Sequence, residues 1–167
     1  MSLLLGGLQV SMLAQFYFFV DSRISNDKTS QPSHSFPRSF LSVQGVVYTK
    51  SCKYAGVDTL LDATPTLGAI VKLKCNNTIH PMIQDGQSDK NGYFYMEAPK
   101  SVTSFGAHKC KVFLYSAPNK DLNPSNLNGG VTGSPLKPEK SLVSQNHKLP
   151  FLLYSVGPFA FEPKCSH

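Results

Sequence analysis

The sequence predicts an all-β domain: a single antiparallel β-barrel or Greek-key sandwich of about seven strands, with one long loop. Three observations carry that expectation. From Val43 onward, apolar and polar residues alternate with the period of two that buries one strand face and wets the other. No stretch shows the periodicity of a capped helix, apart from one turn near GVDTLLDA. Twelve Gly and twelve Pro in 167 residues supply frequent turns.

The elements follow in chain order. Met1 to Val20 carries no charged side chain, and a polar run, DSRISNDKTSQPSHS, follows it. Residues 1–22 read as a secretory signal, with an apolar segment and Val20 and Ser22 spaced for cleavage after Ser22, though without a basic start. Gln9, Gln15 and two Gly argue against a membrane span in so short a stretch. Residues 23–42 are Ser-rich, with Pro32, Pro37 and His34, and cannot bury enough surface to offset their ordering entropy. They are expected to be a flexible linker.

The folded domain is expected over residues 43–167. VQGVVYTKSC begins it. GAIVKLKCNN is the cleanest strand, with Ala69, Val71, Leu73 and Cys75 on one face and Ile70, Lys72 and Lys74 on the other. GYFYMEA follows, and CKVFLYS repeats the alternation with Cys110, Val112 and Leu114 inward and Lys111, Phe113 and Tyr115 outward. KLPFLLYSV is a fifth run. TPTLG, QDGQSDKNG and GPFAFEP read as turns between or after the strands. Ala117 to His147, with four Pro and five Asn, reads as a long loop without a ladder of its own.

Charge narrows the function. The chain carries +6, and from Val43 onward there are thirteen Lys, no Arg and eight acids. Nucleic-acid readers favour the planar fork of Arg, so no nucleic-acid partner is expected. A diffuse polyanion such as an acidic polysaccharide fits scattered lysines better. No GxSxG, HExxH, P-loop or GxGxxG motif occurs, and no Cys or His pair has zinc-ligand spacing, so neither catalysis, a metal nor a cofactor is expected.

Four cysteines in a chain with a secretory start read as two disulfides with three possible pairings. The inward strand faces favour Cys75–Cys110, which leaves Cys52–Cys165. Asn76-Asn77-Thr78 is a glycosylation sequon at Asn76, whereas Pro124 disqualifies the one at Asn123.

The strings VQGVVYTKSCKYAGVDTLLDATPTLGAIVKLKCNN, SDKNGYFYMEAPK, HKCKVFLYSAP and LYSVGPFAFEPKC resemble, in order, the olive-pollen-allergen/extensin (Pollen Ole e 1) family. The likeness is greatest to the cysteine-rich C-terminal domain of non-classical arabinogalactan proteins and related proline-rich proteins of plant cell walls. It implies a compact β-barrel, secretion to the wall, no catalysis and binding to pectic polysaccharides. It also implies the pairs Cys75–Cys110 and Cys52–Cys165. The family's typical six cysteines are reduced to four: Thr49 stands at the first position and the Pro118–Leu122 stretch lacks the fifth, two positions that pair with each other in the family. Only SQPSHSFPRSF remains of a His- and Pro-rich N-terminal region.

The expectation is therefore a secreted, non-enzymatic wall protein that binds pectin or galactan, or, as the alternative, an extracellular protein-interaction or signalling module of the pollen-allergen type. Other wall proteins are secondary partners, and no stable membrane association is expected once the signal is removed. Lys50, Lys53, Lys72 and Lys74 are candidate carboxylate contacts, and Tyr93, Tyr95, Phe113 and Tyr115 are candidate stacking platforms for sugar faces.

Overall fold

Eleven strands form two sheets in the computed structural model, which describes residues 39–76, 80–142 and 151–166. The expected signal segment and most of the expected linker lie outside these residues. The chain enters at β1 (Phe40–Thr49), three residues before the expected domain start, and Leu41, Ser42 and Val43 are already fully buried. Then come β2 (Thr64–Pro65), β3 (Ile70–Cys75), β4 (Met82–Gln87), β5 (Tyr93–Glu97), β6 (Cys110–Ser116), β7 (Leu122–Pro124), β8 (Ser134–Pro135), β9 (Lys137–Leu142), β10 (Phe151–Ser155) and β11 (Phe159–Pro163). Three short 3₁₀ turns, Cys52–Tyr54, Ser104–Lys109 and Leu127–Gly129, lie between them.

The smaller sheet has the order β4-β3-β6-β8. Its pairings are antiparallel, and Cys75 lies opposite Cys110 in the β3–β6 ladder, where the two are joined as a disulfide. The larger sheet is built round β1, in the order β7-β11-β1-β10-β9, with β2 and β5 also paired to β1. Here the chain departs from the antiparallel expectation: β1 runs parallel to β10 through its first half and to β11 through its second. The two sheets face one another across a shared core in which Val43, Val47, Phe94, Phe159 and Phe161 meet Val71, Leu73, Val112 and Leu114. The outcome is a sandwich, not a closed barrel.

Two segments read as turns are strands. Met82–Gln87 is β4, and the first residues of QDGQSDKNG belong to it; only the DKNG part turns, with Asp89 Oδ1 accepting from the Asn91 and Tyr93 amides at 2.8 and 3.0 Å. Gly92 there has φ +74, and a Cβ would collide with the Val47 carbonyl. GPFAFEP holds β11, whose Phe159, Ala160 and Phe161 are each fully buried. A strand covered on both faces shows no alternation, which is why its period gave no signal.

The long loop is also corrected. Residues 117–142 are tied into both sheets, β7 to β11, β8 to β6 and β9 to β10. Further bonds hold it: within the segment the Asn126 carboxamide oxygen accepts from Val131 N and Thr132 N, and Gly130 O accepts from Leu114 N of β6. The final stretch, 143–147, lies outside the described residues. Thr49, where the resemblance implies a cysteine, bonds its hydroxyl to that of Thr66 at 2.7 Å. Cys52–Cys165 joins the first 3₁₀ turn to the C-terminal tail, and on the loop-entropy account Cys75–Cys110 and Cys52–Cys165 contribute roughly 4 and 5 kcal/mol.

Candidate functional site

Alternation on β3 and β6 puts their polar residues on the outer face of the smaller sheet. Because the strands are antiparallel, Lys74 pairs with Lys111 and Lys72 with Phe113. Two like charges directly opposite one another cost free energy, so this pairing is not explained by stability. Part of the repulsion is offset by aromatic rings: Lys74 Nζ lies 4.8 Å from the Phe113 ring centroid, and Lys72 Nζ lies 4.0 Å from that of Tyr115. Lys72 is also held by Asp85 on β4 at 3.3 Å. Among the described residues, Lys74, Lys109 and Lys111 have no carboxylate within ion-pair distance.

These three lysines converge with His108, Asn76 and Phe113 on a recess of about 200 Å³ at the end of the sheet. Phe113 is half-buried, not the exposed ring expected, because its ring and the Lys111 stem lie over Gly133 (φ +95); a Cβ there would sit 2.6 Å from the ring. Asn76 is exposed at the rim, its amide bonded to the Lys109 carbonyl at 3.0 Å. The arrangement can hold an oxyanion beside an aromatic face. Lys109, Lys111 and His108 were not singled out from the sequence for this role, although the outward register of Lys111 on β6 was visible there.

The other expected residues part company with this face. Lys50 is no surface contact: it is 3% exposed, and its ammonium binds Glu162 at 2.8 Å and the Val57 carbonyl at 2.6 Å. At the end of β1 it meets the tail of β11, and burying a charge requires such a partner. Lys53 lies in the Cys52–Tyr54 turn, exposed, 3.9 Å from Asp62 and over the Tyr54 ring. Tyr93 and Tyr95 stand on β5, on the outside of the larger sheet among acids: Tyr95 donates to Glu97 at 3.3 Å, and Tyr93 donates to Gln44, which in turn donates to Glu139. Burial raises the pKa of both tyrosines, with Asp89 and Glu139 adding to it at Tyr93 and Glu97 at Tyr95.

Among the described residues no group of three or more His, Cys, Asp and Glu is placed to hold a metal, and no helix is long and apolar enough to cross a membrane.

No protein-family model matches the chain. It is 41% identical over 136 residues to the non-classical arabinogalactan protein 30 of Arabidopsis thaliana, covering 78% of this chain and 56% of that protein. It is 42% identical over 130 residues to a pistil-specific extensin-like protein of Nicotiana tabacum, covering 72% of this chain and 30% of the relative. Its homologues are arabinogalactan and extensin-like proteins. The crystal structure of the major plantain pollen allergen Pla l 1 superposes with a TM-score of 0.52 at 20% identity, over 77% of this chain and 98% of the allergen, so the two share a fold. The resemblance read from the motifs agrees with both comparisons. The chain spans about half of the first relative and less than a third of the second.

Proposed function

We propose that this chain is a secreted, non-enzymatic protein of the plant cell wall that binds pectic polysaccharide through the outer face of β3 and β6. The observation that supports this reading is the recess formed by Lys74, Lys109 and Lys111 beside Phe113, cations without carboxylate partners among the described residues. A de-esterified uronate chain supplies the carboxylates, and Phe113 and Tyr115 offer apolar surface to sugar rings. Lys72, already paired with Asp85, contributes less. Asn76 is the proposed glycosylation site, and a glycan there would stand at the rim of the recess.

The test is retention of the secreted protein on polygalacturonate at low and moderate salt, beside a fully methyl-esterified pectin. Exposed charges are screened within about 8–10 Å at physiological ionic strength, so affinity should fall steeply as salt rises, and methyl-esterification should abolish it. Binding indifferent to both, or capture of a protein receptor with no pectin binding at all, would overturn the reading.

A further inference from the structure

An open cleft of about 580 Å³ lies on the outside of the larger sheet, lined by none of the residues of the lysine recess. The outward residues of β1, Gln44, Val46 and Tyr48, form its floor, and Tyr93 of β5 pairs with Val46 and stands beside it. Tyr48, two residues beyond Val46 on the same face, is therefore a diagonal neighbour of Tyr93, and such neighbours stand about 7–8 Å apart. Leu60 and Pro158 add apolar surface at the borders. Glu139 reaches in from β9 where that strand slips register against β10, between Lys140 paired with Leu153 and Pro138 paired with Tyr154. Such irregularities re-aim a side chain out of the ladder.

The polar groups of the cleft are partly spent on one another. Tyr93 Oη donates to Gln44 Oε1 at 3.0 Å, and Gln44 Nε2 donates to Glu139 Oε2 at 2.7 Å. Two donors are left over: the second Gln44 amide proton, and the Tyr48 hydroxyl, which has no partner among the described residues. Among the same residues no cation lies within ion-pair distance of Glu139. A fitting ligand brings acceptors for the two donors, one cation for Glu139, and apolar surface at the spacing of two rings. A uronate is repelled by Glu139. An ordinary extended peptide would bury its own N–H groups in a cleft with few acceptors to spare, which costs free energy. Proline has no N–H, and in polyproline II its carbonyls remain free. That helix has three residues per turn and rises about 3.1 Å per residue, so prolines three apart present one edge roughly every 9 Å, close to the tyrosine spacing.

We propose that the cleft of Gln44, Tyr48, Tyr93 and Glu139 is a docking site for a proline-rich segment of another protein, bound as a polyproline II helix with one lysine or arginine against Glu139. It does not depend on the pectin reading, and the two fail on different observations. The probe is a synthetic, sugar-free octapeptide of seven prolines with one central lysine, titrated into the full chain with amide chemical shifts and calorimetry as readouts. The expected result is binding with shifts at Gln44, Val46 and Tyr93, at least tenfold tighter than that of the same peptide with alanine for proline. Glutamine in place of the peptide lysine should weaken binding a few-fold in the native chain and not at all in Glu139→Gln, because the two changes remove the same contact. Tyr48→Phe, which keeps the ring and the fold, should weaken it about three- to tenfold through the lost hydroxyl donor. Tyr93→Ala should weaken it about tenfold through the lost aromatic surface. Lys74→Gln with Lys111→Gln should leave it intact. Absence of binding at about 2 mM peptide, equal affinity for the alanine peptide, shifts outside the cleft, or displacement by an equal concentration of galactotetraose would each overturn the proposal.

Discussion

The two sheets of this sandwich differ in how they are assembled and in what they present. The smaller sheet is made from strands close in sequence, β3, β4 and β6, each antiparallel to the next, and its outer face is cationic. The larger sheet gathers β1 with β10 and β11, more than a hundred residues away, in parallel, and its outer face carries tyrosines among Asp89, Glu97 and Glu139. One fold thus shows two polar faces of opposite character. The lysines expected to work as one set are divided by it: Lys72 and Lys74 lie on the cationic face, Lys50 is buried in an ion pair at the end of β1, and Lys53 sits on a separate turn.

The comparison is tested most severely by the core. If β11 is a central strand and not a terminal turn, Phe161→Ala should cost about 3–5 kcal/mol, at least as much as Leu73→Ala in the smaller sheet at about 2–5 kcal/mol. Phe161 and Leu73 are both fully buried. Chemical denaturation of the two variants with both disulfides intact checks this. A loss below about 1 kcal/mol for Phe161→Ala would remove β11 from the core.

The same contrast explains what was legible in the sequence. GAIVKLKCNN and CKVFLYS alternate cleanly because one face of each is wet, and their inward faces favour the Cys75–Cys110 pair that the β3–β6 ladder brings into register. Phe159-Ala160-Phe161 has no alternation to read, since both faces are covered, and its flanking Gly and Pro imitate a turn. The parallel pairing of β1 with β10 and β11 is non-local and leaves no mark on either segment alone. Residues 117–142 looked structureless because β7 and β8 are only three and two residues long, and their ladders depend on partners elsewhere. For the site, alternation put Lys72, Lys74, Phe113 and Tyr115 on outward strand faces, and the β3–β6 pairing makes them neighbours. Lys109 and His108 join them because the Ser104–Lys109 turn ends where β6 begins, which periodicity does not report.

Lys50 gives the next largest effect. Removing it leaves Glu162, one-third exposed, and the Val57 carbonyl without their cation. A fully buried pair broken in this way costs about 3–5 kcal/mol, and the exposure of Glu162 reduces the expectation for Lys50→Met to about 1–3 kcal/mol. Retention on polygalacturonate should not change. Stability and binding measured on the one variant separate the two roles: loss of binding with unchanged stability would return Lys50 to the surface site.

On the cationic face the effects are smaller and fall on affinity. Lys74→Gln combined with Lys111→Gln should weaken polygalacturonate binding by about 0.4–2 kcal/mol, since exposed contacts are worth roughly 0.2–1 kcal/mol each, with little change in stability. Any change in stability should be a slight gain, because the two lysines face one another across the β3–β6 ladder. Lys72→Gln should cost less affinity than either, as Asp85 already holds that ammonium.

The smallest effect distinguishes the acidic face by titration. Tyr93, Tyr95 and Tyr154 have pKa values raised above 10.0, in each case chiefly by burial, with Asp89 and Glu139 adding repulsion at Tyr93. A raised folded value means that above pH 10 the unfolded chain releases its phenolic protons first. The unfolded state then binds fewer protons than the native state, so stability declines as pH rises through the folded values and is fully present below 10. Ultraviolet difference spectra should therefore show a fraction of the tyrosines ionising late, and that lag should vanish in denaturant. Glu139→Gln removes one of the two charges facing Tyr93 and should bring its titration closer to 10, while Tyr154, raised by burial alone, should not move. A shift of both, or of neither, would mean that Glu139 does not face Tyr93 in solution, and the acidic character assigned to the larger sheet would lose its anchor.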